Sequence, residues 1–267
     1  MDELSLEIAG LQAGIFTQDP EVAGIVRERY KGFLSAATPA GTPGWRIDMD
    51  TAPTRSLSDD VVVGRDARPG RFHVTRGDLA GTVDLGERRG TVSLPTPNEF
   101  SIDSFLRIVY SLALVDVHGL VVHAASLIRH GRAFLFCGPS GSGKTTIARL
   151  SPDATLLSDE LSIVRITERR ASCYGTPFWG ELARAGQDHT ASLHAMYFLH
   201  HGSRHAVEGL RPRQALERLL PNILFFARDA DLTARVLGIA ADLVDAVPSF
   251  DLSFRLDAGF WEVVDRA

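Results

Sequence analysis

The sequence predicts an α/β fold that follows a β-rich N-terminal region, and three observations support this prediction. Residues 36–100 contain short β-like runs, which are separated by turn signals such as Arg68-Pro69-Gly70. Beyond Pro97, apolar strand-like runs alternate with helical patterns, as they do in layered α/β domains. A glycine-rich segment at residues 138–146 lies between a predicted strand and a predicted helix.

We therefore divide the chain into a β-rich region, residues 1–100, and an α/β domain, residues 101–267. The β-rich region is interpreted as an antiparallel module or as an extension of the main sheet, with a role in substrate recognition. Its helix is expected at Glu21–Phe33, and its strands at Val61–Val63, Arg71–Thr75, Thr82–Leu85 and Thr91–Leu94.

The α/β domain begins with apolar residues at helical spacing, and this predicted helix runs to about Val117. Ser101 or Asp103 is expected to cap it. Strands are expected at Leu120–Ile128, Ala133–Cys137, Thr155–Ser158, Leu161–Ile166 and Phe250–Leu256, and a helix at Lys144–Leu150. The chain after Gly186 is expected to be mainly helical, with helices at Arg213–Leu220, Asn222–Phe226 and Leu232–Val244.

The composition argues against two classes of partner. Lys and Arg number 28 against 33 Asp and Glu, a net charge of −5, so no basic excess is available to bind nucleic-acid phosphates. No apolar stretch approaches the roughly 20 residues that cross a membrane, and the acidic N-terminus lacks a cationic signal region. We therefore expect a cytoplasmic protein without a nucleic-acid or membrane partner.

The only two cysteines of the chain, Cys137 and Cys173, both lie in apolar, strand-like runs. They lack the spacing of a metal-binding motif. We expect them to be small buried hydrophobic residues and not a disulfide pair.

The segment that we call the glycine loop, residues 138–146, matches the pattern G-x-x-x-x-G-K-[ST] of phosphate-binding loops. Its glycines let backbone N–H groups converge on phosphates, Lys144 would reach the β- and γ-phosphates, and Thr145 would hold Mg²⁺. The less specific interpretation is a Gly/Ser-rich turn. The pattern predicts binding of ATP and Mg²⁺ by Gly138, Pro139, Ser140, Gly141, Ser142, Gly143, Lys144, Thr145 and Thr146.

Two carboxylates, Asp159 and Glu160, follow the predicted strand Thr155–Ser158. A strand that delivers a carboxylate beside a phosphate-binding loop is the usual second half of such a site. In an extended chain the two side chains point to opposite faces, so one of them is expected to enter the site. The alternative is a solvated acidic turn. His123, considered alone, is equally consistent with a core residue of an apolar strand.

These residues together resemble the HPr kinase/phosphorylase family, and within it the smaller HPr-kinase-like serine kinases of bacterial peptide-modification clusters, including the lasso-peptide kinases. The resemblance covers roughly residues 101–267. It rests on His123-Ala124-Ala125, the glycine loop, Leu157-Ser158-Asp159-Glu160 and Gly175–Glu181. It implies a P-loop core of the HPr kinase/phosphoenolpyruvate carboxykinase type. The N-terminal 100 residues do not resemble that family's N-terminal domain.

The resemblance also implies roles for individual residues. Asp159 matches the general base that takes the proton from a serine hydroxyl, and Glu160 matches a magnesium ligand. In the family a histidine precedes the loop's first glycine by the interval seen here, which favours His123 as a residue that orients the base. Together with Lys144, Asp159 and His123 are the predicted catalytic residues.

The segment Cys173–Glu181 is expected to form a loop at the mouth of the site. Thr176, Phe178 and Trp179 are candidate substrate contacts, although the two aromatic residues could equally fill the core. The Gly-Arg-Asn signature of bifunctional HPr kinase/phosphorylases is absent, and Arg184 is the nearest candidate for an arginine on the transferred phosphate. This departure argues against phosphorylase activity and against HPr as the substrate.

The leading hypothesis is an ATP-dependent kinase, a phosphotransferase with an alcohol group as acceptor, that acts on a serine of a peptide or small protein. Its sharpest version is the terminal serine of a ribosomal precursor peptide. Two alternatives remain open: a small-molecule or carboxykinase-like phosphotransferase, and a non-catalytic ATP-binding regulator. The resemblance favours a homo-oligomer.

Overall fold

A computed structural model describes residues 2–35, 44–53 and 60–267 of the chain. The fold is mixed α/β, as the sequence predicted, and divides into two compact units. The first unit comprises residues 1–116 and 225–233, and the second comprises residues 117–224 and 234–267. The first unit thus extends beyond the boundary near residue 100 that we predicted.

The first unit contains an eight-stranded sheet in the order β3-β1-β2-β4-β8-β7-β6-β5. The pairs β2–β4 and β4–β8 are parallel and the others are antiparallel, so the sheet is mixed. The strands are β1 Asp2–Ile8, β2 Leu11–Thr17, β3 Leu34–Ser35, β4 Trp45–Thr51, β5 Val62–Arg65, β6 Arg71–Arg76, β7 Leu79–Asp84 and β8 Arg89–Leu94. The helices are α1 Pro20–Arg29 and α2 Glu99–Ala113.

The hairpin β1–β2 is a feature of this sheet that we did not predict. Leu6, Ile8 and Ile15 are fully buried, so one face of the hairpin belongs to the core. The two-residue turn, Ala9-Gly10, has positive φ at both positions, as type I′ hairpin turns require. The alternation of apolar and polar residues in β1, whose sequence is DELSLEI, is typical of a strand and could have predicted it.

Helix α2 begins at Glu99, three residues earlier than a cap at Ser101 would place its start. Its N-cap is Asn98, whose side chain accepts a hydrogen bond from the Ser101 backbone N–H at 2.9 Å. Asp103 therefore lies inside the helix and does not cap it. It is buried and pairs with Arg29 at 2.8 Å and Arg107 at 2.9 Å.

The Tyr30 hydroxyl also donates to Asp103, at 2.6 Å. Burial raises the pKa of Tyr30 well above its usual value, and the negative charge of Asp103 adds to this effect. Tyr30 therefore remains a neutral donor, and the cluster joins the end of α1 to α2 within the first unit.

We expect Asp103→Ala to destabilise the first unit strongly, because it removes a buried carboxylate that binds the Arg29 guanidinium and the Tyr30 hydroxyl. Breaking a buried ion pair costs about 3–5 kcal/mol. Urea denaturation of the full chain measures the change. Asp78→Ala is the matched control, because its ion pair with Arg76 is partly exposed and should be worth less than about 1 kcal/mol. Equal losses for the two variants would contradict the assignment.

The second unit contains strands β9 to β16 and most of the helical residues that follow α2. The strands are β9 Gly119–Arg129, β10 Arg132–Cys137, β11 Thr155–Ser158, β12 Leu161–Thr167, β13 Arg170–Tyr174, β14 Thr190–His201, β15 Ala206–Gly209 and β16 Ser249–Phe254. The helices that follow α2 in the chain are α3 Lys144–Arg149, α4 Pro212–Leu219, α5 Ala230–Ala246 and α6 Phe260–Val264.

Strand order in this unit is β10-β9-β12-β13-β14-β16-β15, with β11 also paired to β9. An additional parallel pairing joins β10 to β14. The long strands β9 and β14 make this possible, because each pairs with different neighbours along its length. Strands β10, β14 and β16 are mutually parallel, so their carboxyl ends lie at one edge of the sheet.

Strand β14 corrects our expectation that the chain after Gly186 is mainly helical. Its residues Ala195–Leu199 are all buried between two parallel neighbours. A fully buried strand shows no alternation, so a short apolar run cannot be distinguished from a buried helix by period alone. The helices predicted at Arg213–Leu220 and Leu232–Val244 are present as α4 and α5, and the final strand is present as β16. The helix predicted at Asn222–Phe226 is wrong: a short 3-10 turn ends at Asn222, and the next six residues after Ile223 are not helical.

Aromatic side chains fill the core around this parallel group. Phe136 of β10 stacks on Tyr197 of β14, and it also contacts Phe260 and Trp261 of α6 edge-on. Cys137 and Cys173 are free and fully buried, as predicted, and burial raises the pKa of both thiols. No helix among the described residues is long and apolar enough to cross a membrane.

Candidate functional site

The glycine loop connects the carboxyl end of β10 to the first residue of α3. Gly143, the N-cap of α3, has a φ of 103°, which residues with a side chain rarely adopt. A Cβ at this position would lie 2.5 Å from Cζ of Phe254 in β16. Glycine is therefore required here for two independent reasons, and the loop lies directly against the parallel strands.

Lys144 is buried and folded back over the loop. Its Nζ donates to the carbonyl oxygens of Gly138, at 2.9 Å, and Pro139, at 3.0 Å. Burial lowers the pKa of Lys144, while the negative charges of Glu160 and Glu181 oppose this shift. The lysine is thus a largely desolvated cation whose Nζ is bound by carbonyl oxygens of the glycine loop.

The two predicted carboxylates have different environments. Asp159 is 1% exposed, and its two oxygens accept the backbone N–H groups of Gly180, at 3.0 Å, and Leu182, at 2.9 Å. The Glu160 side chain is 31% exposed. Asp159 therefore holds the 180–182 segment in place, whereas the Glu160 side chain is partly exposed to solvent.

His123 pairs with Glu160 and not, as we expected, with Asp159. The distance from His123 Nε2 to Glu160 Oε1 is 3.1 Å. The sheet register explains the pairing, because Leu161 of β12 lies opposite His123 of β9 and brings the preceding residue beside it. Gly180 makes room for Glu160, since a Cβ on Gly180 would lie 2.9 Å from Glu160 Oε2.

The loop between β13 and β14 is firmly anchored, and this corrects two of the predicted substrate contacts. Thr176 is fully buried, and its hydroxyl donates to the Leu161 carbonyl at 2.7 Å. Its backbone N–H donates to the Leu157 carbonyl at 2.9 Å. Phe178 is also fully buried. Neither side chain can contact a substrate, so both have a structural role.

The other two predicted substrate contacts are accessible. Trp179 is half-buried and precedes Gly180, which packs on Glu160. Arg184 is exposed, but it lines a cavity beside Arg149 at the carboxyl end of α3. Lys144 lies at the opposite end of that helix. The geometry therefore does not support Arg184 as the arginine on the transferred phosphate.

Sequence reasoning missed the contribution of β14 to this edge. His201, the last residue of β14, lies with Nε2 2.9 Å from the Gly141 carbonyl, so its ring N–H donates to the glycine loop. Its ring also stacks over Phe254. Its position beside the glycine loop depends on the pairing of β14 with β10, two strands far apart in the sequence.

The glycine loop fits a bound phosphate chain. The Ser142 hydroxyl is buried and has no hydrogen-bond partner among the described residues, so it can serve a ligand. Lys144 is held only by two carbonyl oxygens of the loop and can turn toward phosphate oxygens. Thr145, in the first turn of α3, offers a hydroxyl oxygen, the hard type of ligand that Mg²⁺ prefers. The arrangement can hold a polyphosphate beside an accessible, histidine-bound carboxylate.

Comparisons with known proteins place these residues in a family. No curated protein matches the chain. A family model, described as SynChlorMet cassette protein ScmC, matches residues 96–267. This match covers more than half of the chain and contains the glycine loop, both carboxylates and the loop between β13 and β14. The chain belongs to the family of SynChlorMet cassette protein ScmC.

Proposed function

We propose that the second unit is an ATP- and Mg²⁺-dependent kinase of the HPr-kinase-like type, which phosphorylates a serine hydroxyl of a peptide or small protein. One observation carries the proposal: an accessible carboxylate, Glu160, is bound to His123 and acts electrostatically on the lysine of the glycine loop. A protein that only senses a nucleotide has no need of a positioned base. The resemblance stated above supports serine as the acceptor.

The donor half of the proposed site consists of the glycine loop and Lys144. Backbone N–H groups of the loop and the Ser142 hydroxyl would bind phosphate oxygens. The Lys144 ammonium would exchange its two carbonyl acceptors for oxygens of the β- and γ-phosphates. The negative charge of these oxygens would offset part of the free-energy cost of burying the ammonium. When bound, Mg²⁺ would neutralise negative charge that develops on the phosphates.

In the acceptor half, the geometry favours Glu160 over Asp159 as the general base. Glu160 is accessible, and a hydrogen bond to His123 fixes its orientation. It would accept the proton of the serine hydroxyl while the serine oxygen bonds to phosphorus and the bond from phosphorus to the ADP oxygen breaks. Both oxygens of Asp159 already accept backbone N–H groups, so we assign Asp159 as a positioning residue.

We expect Lys144→Ala to weaken ATP binding, because it removes the cation that would bind the β- and γ-phosphates. The affinity for ATP should fall by about tenfold or more, which corresponds to a charge-assisted hydrogen bond of about 1.5–3 kcal/mol. Titration calorimetry with Mg²⁺ and ATP measures it. Arg149→Ala, at the other end of α3, is the control and should bind as the wild type does. Unchanged affinity in Lys144→Ala would refute the donor assignment.

We expect Glu160→Gln to keep ATP binding within about threefold and to lower the rate of phosphoryl transfer by about 10²–10⁴-fold, the usual contribution of a general base. His123→Gln should lower transfer less, because it removes only the partner that orients Glu160. Mass spectrometry of serine peptides incubated with ATP and Mg²⁺ provides the readout. The control is His118→Ala, which breaks a similar histidine–carboxylate pair, His118 with Asp242, elsewhere in the same unit.

We expect Asp159→Asn to lower the melting temperature, because an amide cannot accept both backbone N–H groups. The rate of transfer should fall along with stability. The decisive contrary result is an Asp159→Asn protein that melts normally, binds ATP and is inactive while Glu160→Gln remains active. The base would then be Asp159.

Phosphorylation of small hydroxylated metabolites without any peptide product would favour the small-molecule alternative, and ATP binding without any transfer would favour a regulator.

A further inference from the structure

A cavity of about 380 Å³ opens beside the carboxyl end of α3 in the second unit. Its apolar lining includes Leu127 of β9, Leu156 of β11 and Leu182 of the loop between β13 and β14. Arg149 and Arg184 also line it. None of its lining residues belongs to the glycine loop, so the cavity is separate from the site described above.

The two arginines are available to a ligand. Both are exposed, and neither forms an ion pair or a hydrogen bond with another described residue. Arg129 of the same unit, by contrast, is engaged with Asp265 and with the ring of Trp261. Two guanidinium groups with no carboxylate partner at one cavity form a local cationic surface in a chain whose net charge is negative.

The polar atom in the cavity wall is already satisfied. The Ser151 hydroxyl donates to the Ile147 carbonyl at 2.7 Å and accepts from Trp261 Nε1 at 2.9 Å. The Ser151 hydroxyl therefore fixes the turn that follows α3 and is not available to bind a ligand. The cavity is therefore lined by apolar leucine and alanine side chains and by two arginines.

We propose that this cavity binds an organic anion with an apolar body. The leucines would bury the apolar part, and the guanidinium groups of Arg149 and Arg184 would bind a carboxylate or a phosphate in the planar, bidentate manner typical of arginine. The volume lies within the range of small-molecule sites. This inference does not depend on the proposed kinase activity.

The cavity wall is connected to the carboxylate pair. Leu182, which lines the cavity, is bound through its backbone N–H to Asp159 at 2.9 Å. The neighbouring Gly180 N–H binds the other oxygen of Asp159. A ligand that orders Leu182 and Arg184 thus acts on a segment that also contacts the residue before Glu160.

Four probe compounds test separately whether binding requires an anionic group and whether it requires an apolar body. Hexanoate carries both an anion and an apolar body, hexanamide carries only the apolar body, and acetate carries only the anion. Hexyl phosphate tests the second type of anion. Ligand-observed NMR titrations of the full chain should show binding of hexanoate or hexyl phosphate about fivefold or more tighter than that of hexanamide and acetate. The stronger of the two anions identifies the head group.

Variants locate the binding. Arg149→Ala combined with Arg184→Ala, and separately Ala154→Leu, which fills the cavity, should each weaken binding of the preferred anion about fivefold or more. Arg170→Ala, an exposed arginine on β13, and Lys144→Ala should leave it unchanged. Circular dichroism melts establish that each variant is folded. Equal binding of all four probes, no binding of either amphipathic anion, full binding in the double arginine variant, or loss of binding in Lys144→Ala would each overturn the proposal.

Discussion

The hydrogen bonds from the Gly180 and Leu182 backbone N–H groups to the buried carboxylate of Asp159 are the interaction on which the candidate site depends. They replace the water that a buried carboxylate loses, which would otherwise make its burial very costly. They also bring Gly180 against Glu160, where only a residue without Cβ fits. The accessible carboxylate is therefore positioned by a buried one, and both lie at the end of a single short strand.

The parallel strands β10, β14 and β16 provide the second constraint. Because their carboxyl ends lie at one edge, the glycine loop, His201 and Phe254 meet there although they are far apart in the sequence. Ligands of α/β proteins commonly bind at such an edge. Stacked aromatic residues pack beneath this edge and support the proposed phosphate-binding site.

Much of the second unit was predictable because its signals are local. The strand before the glycine loop and the helix after it each depend on residues close together in sequence. The β1–β2 hairpin also had a local signal, which we overlooked. Strand β14 had none, because a strand buried on both faces lacks alternation, and its identity depends on the neighbours with which it pairs.

The sequence by itself determined that a glycine loop precedes a helix, that two adjacent carboxylates follow a strand, and that both cysteines lie in apolar strands. These conclusions need only local patterns and the chemistry of side chains. Only the tertiary structure decided that Glu160 and not Asp159 contacts His123, that Thr176 and Phe178 are buried, and that Arg184 faces a separate cavity. Each of these depends on contacts between segments that are distant in the sequence. The Glu160–His123 contact depends on the register of β12 against β9, where a shift of one residue would reverse which side chain lies beside His123.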